Sequence, residues 1–283
     1  MPGIVRTNEA SREVDKKGRR WRRVALPFIT LITVILLYFQ TLGQRSDFAG
    51  TVSVCIPTIP EDISRGWLSN ALDSVRRQTV QPLEVIVSAS GVPIHVEEEL
   101  RVICERSLPA VQCKVITSTT LLTPGESRNV ALDVAKGRII TFLDADDYMH
   151  HEKIEVLSIR FTKSRRPLWL LLHGHTNNTN VVRKSVLKNL TVYGVFDTCE
   201  RTARSLKKRY LDAVGLDWPI THGHATFLAE AIKQNRYGTD LKGEDSKVVL
   251  SVLQKVCGST DLSAEVVNAP LSYYIRRATL GKT

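Results

Sequence analysis

Residues 138–148 read Arg-Ile-Ile-Thr-Phe-Leu-Asp-Ala-Asp-Asp-Tyr, and this stretch decides the fold. A short, β-branched apolar run over residues 139–143 ends in three carboxylates, Asp144, Asp146 and Asp147. The run is too short for a typical helix and apolar on both faces, which predicts a buried parallel strand. Ligands bind beyond the carboxyl ends of such strands. Three acids there favour a hard divalent cation such as Mg²⁺ or Mn²⁺; the alternative is an acidic turn that caps the next helix.

A capping box precedes this strand at Thr123-Pro124-Gly125-Glu126, with Thr at the N-cap and Glu three residues later. The helix that it opens has one apolar side and is expected to stop at Gly137, a typical C′ residue. Arg128 falls early in this helix, near the top of the sheet. A positive side chain and a helix N-terminus both favour phosphate oxygens, although an exposed surface arginine is the alternative.

Residues 125–131 and 135–147 together resemble the core signature of family 2 glycosyltransferases. Residues 53–58 and 83–87 match the opening of the same family, and the resemblance covers roughly residues 52–254. It implies the GT-A fold, an α/β, Rossmann-like, doubly wound and mostly parallel sheet that carries a DXD metal motif. It also implies an inverting, metal-dependent enzyme. Such an enzyme moves a sugar from a nucleoside diphosphate-sugar, here expected to be a UDP-sugar, to a hydroxyl of a glycan, protein or lipid.

The resemblance assigns the donor side of the site. It makes Asp146 the direct metal ligand and Asp144 the ribose contact or second metal ligand, with Mn²⁺ or Mg²⁺ as the cation. Arg128 is expected to contact the diphosphate, and the nucleotide is expected to lie beside Pro57 and Thr58.

One turn departs from the family pattern. Family members commonly have an acidic turn after the second strand that recognises the nucleobase, whereas this chain has Ser88-Ala89-Ser90-Gly91. Ser88 is expected to contact the donor there, but a serine brings a hydrogen-bonding group without a charge.

The acceptor side is less regular. Gly243-Glu244-Asp245 precedes a helical pattern and resembles the second signature of the family, which implies Asp245 as the general base and Glu244 as an acceptor contact. Alternatively, the two acids only cap the helix. His222, His224 and Trp218 are expected to shape the acceptor site, and either histidine could add a metal ligand. The alternatives are a structural histidine and a tryptophan in the core.

Alternating strand and helix patterns support the α/β prediction. Strands are expected at residues 51–57, 83–87, 111–116, 167–175 and 269–276. Helices are expected from residue 63 to 78, from 150 to 161, and directly after 222–227. The turn at residues 88–91 would follow the second strand.

The chain carries a formal net charge of +10, and eight basic residues stand against three acids before Val24. No basic stripe interleaved with aromatics is present, so no nucleic-acid partner is expected. Residues 24–42 are nineteen residues without a charge, which is long enough to cross a bilayer. The preceding basic cluster predicts a cytoplasmic amino terminus. A cleaved signal peptide is the alternative, but residues 40–50 offer no convincing cleavage site.

These patterns predict a single-pass type II membrane protein in the Golgi or another secretory membrane. Its parts would be a cytoplasmic tail (1–23), a signal-anchor (24–42), a stem (43–50) and a lumenal catalytic domain (51–283). The catalytic domain would comprise a nucleotide-sugar half (51–149) and an acceptor half (150–283).

Two sequons, at Asn177 and Asn189, would make the protein a glycoprotein. Five cysteines allow a Cys104–Cys113 bridge and leave at least one thiol unpaired or linked between chains, with Cys55 and Cys257 expected in the core.

Two other functions fit parts of the pattern. A non-catalytic GT-A relative that only binds is favoured by the missing acid in residues 88–91, but the acids elsewhere argue against it. A nucleotidyltransferase would need a glycine-rich, basic loop after its first strand, and residues 57–62 are Pro-Thr-Ile-Pro-Glu-Asp.

Overall fold

The computed structural model describes residues 51–178, 184–194, 218–221 and 223–275, all within one compact unit. The tail, the apolar segment 24–42 and the stem lie outside the described residues, as do His222 and Cys199. Among the helices in the described part of the chain, none combines the length and apolar character that crossing a bilayer requires.

The first half is a parallel sheet with helices between its strands, as the sequence predicts. Its four strands follow the order β3-β2-β1-β4 and are β1 (Val52–Thr58), β2 (Glu84–Ser90), β3 (Gln112–Ser118) and β4 (Ile139–Phe142). The helices that connect them are α1 (Pro60–Ser64), α2 (Trp67–Arg76), α3 (Val96–Ser107) and α4 (Pro124–Val134).

Strands β1, β2 and β4 are buried on both faces, which explains their continuous apolar runs. Along β1, Val54 and Ile56 pack into one hydrophobic cluster with α2 and α3, while Cys55 points into a second cluster with α4. Because successive side chains of a strand point to opposite faces, a strand covered on both sides must be apolar throughout.

The second half joins the sheet with mixed pairing. Strand β8 (Thr226–Leu228) is antiparallel to β4, and β6 (Leu168–Thr176) is antiparallel to β8. Strand β9 (Ser263–Tyr273) is parallel to β6. The remaining elements are β5 (Tyr148–Met149), α5 (Lys153–Lys163), a 3₁₀ turn (Leu187–Asn189), β7 (Val192–Gly194), α6 (Ala229–Lys233) and α7 (Glu244–Cys257).

Several boundaries differ from the sequence-based expectation. The helix expected over residues 63–78 is two helices, because Gly66 takes a left-handed conformation with φ of 71° between them. Residues 226–228 form a strand against β4 before the short helix α6, and α5 begins at Lys153 rather than at residue 150. The last strand begins at Ser263, six residues before the expected start.

Gly137 does not end helix α4 as a C′ residue, although the sequence pattern predicts that role. Helix α4 ends at Val134, the following Ala135 is already extended, and Gly137 is not among the glycines with positive φ in the described residues. A Cβ at Gly137 would lie 2.5 Å from the backbone nitrogen of Ser53. Glycine is required here because the chain passes directly against β1.

The turn after β2 is also shorter than expected. Strand β2 continues through Ser90, and only Gly91, with φ of 69°, makes the turn. Ser88 therefore lies within the sheet rather than in the loop that follows it.

The cysteines follow the prediction in part. Cys104 and Cys113 form a disulfide that ties α3 to β3, with their Cα atoms 5.8 Å apart. Cys55 is buried and free. Cys257 is exposed at the end of α7 and is disulfide-bonded, so its expected core position is wrong.

Candidate active site

A cavity of about 1030 Å³ lies at the carboxyl ends of β1, β2 and β4. Both halves of the sequence line it. The lining includes seven residues that the sequence singles out, namely Pro57, Thr58, Arg128, Asp144, Asp146, Glu244 and Asp245.

The end of β4 delivers the acids. The backbone N–H of Leu143 still donates to Cys55 at 3.0 Å, and the chain then turns, with Asp147 N–H donating to the Asp144 carbonyl at 3.0 Å. This turn leaves the Asp144 side chain one-third exposed, while the Asp147 side chain is nearly buried. Asp147 also accepts a hydrogen bond from the backbone N–H of Ile275 at 3.0 Å, which joins the turn to the end of β9.

Arg128 connects the acids of the two halves. Its guanidinium is almost fully buried and donates to Asp144 Oδ1 at 2.8 Å and to Glu244 Oε1 at 2.6 Å. It also lies over the ring of Tyr237, 5.4 Å from the centroid. Burial opposes the charge of Asp144, but the neighbouring Arg128 and His224 outweigh it and hold the pKa of Asp144 below its ordinary value.

His224 lies against the same acids rather than among the residues that line the cavity. Its buried ring nitrogen Nε2 is 3.3 Å from Asp147 Oδ2 and 3.7 Å from Asp144 Oδ2. It is also 3.1 Å from the backbone nitrogen of Asp144. Burial disfavours the imidazolium, yet the two carboxylates raise the pKa of His224 above its ordinary value.

The ligand atoms of Asp144, Asp147 and His224 lie within 4.8 Å of one another, a set that fits a divalent cation. Two carboxylates and an imidazole suit Mn²⁺ well. Asp146, the expected direct ligand, lines the cavity beside them but is not part of this close set. His224 Nε2 is the nitrogen that faces the two carboxylates, and it also accepts from the Asp144 backbone N–H, whereas the buried Nδ1 has no hydrogen-bond partner among the described residues.

Asp245 stands across the cavity in the first turn of α7. Gly243, the N-cap residue just before the helix, has a φ of 78°. Asp245 Oδ1 accepts a hydrogen bond from the Ser246 N–H at 2.7 Å. The position that a Cβ would occupy at Gly223 marks where the three groups converge. Asp144 Oδ2 lies 3.5 Å from this point, and Arg128 Nη2 and Asp245 Oδ2 each lie 3.6 Å from it. These three groups from distant parts of the sequence therefore surround one small space.

Two expected site residues lie outside the cavity wall, and a third is not among the described residues. Ser88 is buried and accepts a hydrogen bond from the Ser127 hydroxyl at 3.1 Å, so α4 separates it from the cavity. Trp218 is not among the lining residues, and its neighbour Pro219 lines the cavity instead. The Trp218 side chain packs against Gly174, where an added Cβ would lie 3.2 Å from the Trp218 Cγ. His222 lies outside the described residues.

Sequence reasoning missed Lys153, which is fully buried in the first turn of α5. Its ammonium lies 3.4 Å from the carbonyl of His224. Burial lowers the pKa of Lys153 to about 7, although Asp144 and Asp147 act in the opposite direction. Lysine is rarely buried, so a helical lysine gave no signal of this position.

Comparisons with known proteins identify a family and a shared fold. A family model described as glycosyl transferase family 2 matches residues 53–227. S. aureus TarS 1-349 in complex with UDP-GlcNAc is 20% identical with a TM-score of 0.57, over 80% of this chain and 59% of that one. Glucosyl-3-phosphoglycerate synthase from Mycobacterium tuberculosis, in complex with Mn²⁺, uridine diphosphate and phosphoglyceric acid, is 15% identical with a TM-score of 0.51. That match covers 79% of this chain and 70% of that one.

At these identities the likeness shows a shared fold. The match spans 57–59% of the length of the TarS 1-349 chains. A comparison with curated protein sequences found no match.

Proposed function

The chain belongs to glycosyl transferase family 2, and from this premise we propose that it is a glycosyltransferase that transfers a sugar with inversion at the anomeric carbon. The donor is a nucleoside diphosphate-sugar, a divalent cation assists, and the acceptor is a hydroxyl of a glycan, protein or lipid. The two similar structures support this proposal, because one is a complex with UDP-GlcNAc and the other a complex with Mn²⁺ and uridine diphosphate.

The observation that carries the proposal is the convergence of Asp144, Arg128 and Asp245 around the space beside Gly223. Asp144 belongs to the donor side and Asp245 to the acceptor side. A reaction between two bound substrates needs both within reach of one reacting carbon.

We assign Asp245 as the general base. As the acceptor oxygen attacks the anomeric carbon, its proton passes to the Asp245 carboxylate, and the bond between that carbon and the diphosphate oxygen breaks. One displacement inverts the anomeric carbon. Glu244 fixes the guanidinium of Arg128 and is the proposed acceptor contact.

Asp144, Asp147 and His224 would hold the cation, with Asp146 beside them. When bound, the cation would neutralise charge on the departing nucleoside diphosphate. Arg128 fixes the orientation of the Asp144 carboxylate through its 2.8 Å hydrogen bond, which keeps one ligand of this set in position.

The test is turnover of the purified full-length protein with Mn²⁺ and a panel of nucleoside diphosphate-sugars, measured as release of the nucleoside diphosphate. Asp245→Asn is expected to lower turnover by about 10²–10⁴-fold, the usual contribution of a general base. Chelation with EDTA should abolish turnover, and added Mn²⁺ should restore it. The matched control is Asp240→Asn. Asp240 lies shortly before Asp245 in the sequence, but its carboxylate pairs with Lys247 at the exposed surface.

If Asp245→Asn turns over the donor at the wild-type rate, the assignment of Asp245 as the general base is wrong. If no donor is hydrolysed while a nucleotide still raises the melting temperature, the non-catalytic alternative replaces the enzyme proposal.

We also propose that residues 24–42 anchor the protein as a single-pass type II membrane protein with its catalytic domain in a secretory lumen such as the Golgi. The uncharged segment after a basic cluster supports this topology. The Cys104–Cys113 disulfide supports an oxidising compartment for the catalytic domain.

A further inference from the structure

One wall of the cavity carries side chains that the proposed mechanism does not use. It belongs to the second half of the chain, and its lining residues are His175, Pro219, Ile220, Thr221 and Tyr274. We propose that this wall binds a sugar ring of the acceptor, with His175 hydrogen-bonded to one of its hydroxyls, so that the acceptor is a glycan rather than a protein side chain or a lipid. This inference rests on the proposed function, because it concerns the second substrate of the same reaction.

Three extended segments build this wall side by side. The end of β6 pairs with β9, where His175 lies opposite Ser272. On the other edge of β6, the His175 N–H donates to the Pro219 carbonyl at 2.9 Å. Gly174 forms a β-bridge with Ile220 on the same edge. Backbone hydrogen bonds on both sides therefore hold the wall in one conformation, and sites built on such rigid elements bind more precisely than sites on loops.

Tyr274 connects this wall to the acids that follow β4. Its ring stacks on the His175 ring, with the centroids 4.2 Å apart and the planes at 25°. It also meets the His224 ring edge-on, with the centroids 5.2 Å apart. The next residue, Ile275, donates its backbone N–H to Asp147 at 3.0 Å. A single aromatic ring thus separates His175 from the proposed cation site, so a sugar bound at this wall lies beside the departing diphosphate.

His175 is the residue of this wall whose side chain is open to a new hydrogen bond. The hydroxyls of Tyr274 and Thr221 are bonded to each other, and Pro219 and Ile220 are apolar. The half-buried imidazole of His175 forms no hydrogen bond with the described residues, and because its Nδ1 is buried, Nε2 is the nitrogen that can meet a ligand. Burial lowers the pKa of His175, which favours the neutral ring. In either tautomer, Nε2 of a neutral imidazole can donate to or accept from a hydroxyl.

These properties match a sugar ring better than the other acceptor classes. In the proposed mechanism Asp245 takes the proton of the attacking hydroxyl, so His175 needs a second polar group on the same acceptor. A serine side chain or a long-chain alcohol offers one hydroxyl, whereas a sugar ring offers several that are adjacent. Its C–H groups can also pack against Pro219 and Ile220. Small-molecule sites typically combine such apolar walls with a few placed polar groups.

The experiment compares three classes of acceptor, using the full-length protein with Mn²⁺ and the donor that it hydrolyses. The acceptors are p-nitrophenyl glycosides of common monosaccharides, a short peptide that contains serine and threonine, and dodecanol. Transfer is measured as formation of the glycosylated product. The glycosides should be used best, and a series of monodeoxy analogues of the best one identifies the hydroxyl that His175 binds. One analogue should lose about tenfold in kcat/KM, which corresponds to one hydrogen bond.

The variant His175→Ala should raise the KM for the best glycoside about tenfold. It should then use the parent glycoside and the affected analogue equally well, because the hydroxyl has lost its partner. His175→Gln, whose amide can reach the position of Nε2, should recover part of the loss. A merely structural role, acting through Tyr274 on His224, would instead weaken binding of the nucleoside diphosphate with Mn²⁺, and calorimetry should show that this dissociation constant does not change.

The matched control is His95→Ala, which removes an exposed histidine outside the cavity lining and should leave every KM unchanged. The inference is overturned if the peptide or dodecanol has a higher kcat/KM than every glycoside, or if no glycoside is used although the donor is hydrolysed. It is also overturned if His175→Ala discriminates between the parent glycoside and its analogues as wild type does. The proposed function survives each of these results. If wild type hydrolyses no donor at all, the proposed function itself fails.

Discussion

At the scale of single residues, Arg128 does most to hold the site together. Its buried guanidinium is shared between Asp144 and Glu244, which lie 100 residues apart in the sequence. Burial disfavours the cation, but the carboxylates raise the pKa of Arg128 above its ordinary value, so the charge persists. A planar fork can bind two carboxylates at once, which a lysine ammonium does with poorer geometry.

We therefore expect Arg128→Lys to destabilise the protein by about 1–3 kcal/mol, because the lysine keeps the charge but leaves a buried carboxylate without one of its hydrogen bonds. Urea denaturation measures this change. Arg236→Lys is the control, since Arg236 pairs with Asp133 at the exposed surface and such pairs contribute about 0–1 kcal/mol. Equal effects of the two substitutions would contradict the bridging role of Arg128.

Lys153 gives a second prediction at this scale, on pH. Its pKa is about 7 in the folded protein, against about 10.4 for an ordinary lysine. Between these values the unfolded chain binds more protons, so the free energy of unfolding rises with pH, by at most about 1.4 kcal/mol per unit. The variant Lys153→Met has no titrating group at this position, so its free energy of unfolding lacks this increase with pH.

The stability of Lys153→Met minus that of wild type should therefore fall as the pH rises from 7 to 10, measured by urea denaturation at each pH. Lys163→Met, at the exposed end of the same helix, should follow wild type at every pH. A constant difference for Lys153→Met would mean that the buried ammonium keeps an ordinary pKa.

At the scale of elements, the close approach of α4 to the loop before α7 sets the distance between the donor and acceptor sides. A Cβ at Gly125 would lie 2.3 Å from the carbonyl oxygen of Gly238 and 3.2 Å from Glu244 Cγ. The first turn of α4 can therefore lie against this loop only if residue 125 has no side chain.

Gly125→Ala should destabilise the protein by about 1–3 kcal/mol, the range for overpacking. It should also lower donor turnover, because the displaced loop leads into Asp245. Thermal denaturation and the donor assay measure the two effects. Gly258→Ala is a suitable control, since a Cβ there would have only ordinary contacts, the nearest at 3.5 Å. Wild-type turnover by Gly125→Ala would show that the loop adapts.

At the scale of the whole molecule, strand order explains where the site forms. The chain builds β2 and β3 on one side of β1 and then crosses to place β4 on the other. Open α/β sheets bind ligands at such a switch point, beyond the carboxyl ends of the strands. The antiparallel addition of β8 then brings His224 to the acids of β4.

The proposed topology makes a prediction for the intact protein. Asn189 is exposed and begins the sequon Asn189-Leu190-Thr191. If the catalytic domain is lumenal, the membrane fraction of expressing eukaryotic cells should contain a glycosylated form whose mass falls on endoglycosidase treatment. Asn189→Gln should reduce this shift, and Asn178→Gln, which is not a sequon acceptor, should not. Protein in the soluble fraction without a glycan would contradict the lumenal topology.

The sequence by itself determined the parallel half of the sheet and the elements that deliver the site. Apolar runs predicted β1, β2 and β4, and the capping box at Thr123 and Glu126 is present as expected, with the Thr123 N–H donating to Glu126 at 2.9 Å. These features depend on neighbours within a few residues, so local periodicity and capping chemistry encode them. The acids that follow β4 and those in the first turn of α7 were recognisable for the same reason, because local sequence patterns mark both places.

Only the tertiary structure decided which of these groups meet. Ser88 and Ser90 share one face of a strand, and no local pattern distinguishes them; Ser127 of α4 covers the first and leaves the second at the cavity. His224 lies 80 residues from Asp144, and the buried Lys153 ammonium contacts the carbonyl of His224, 71 residues further along the chain. Contacts between distant segments depend on how elements pack, and the two-residue and 3.6-residue periods carry no information about that packing.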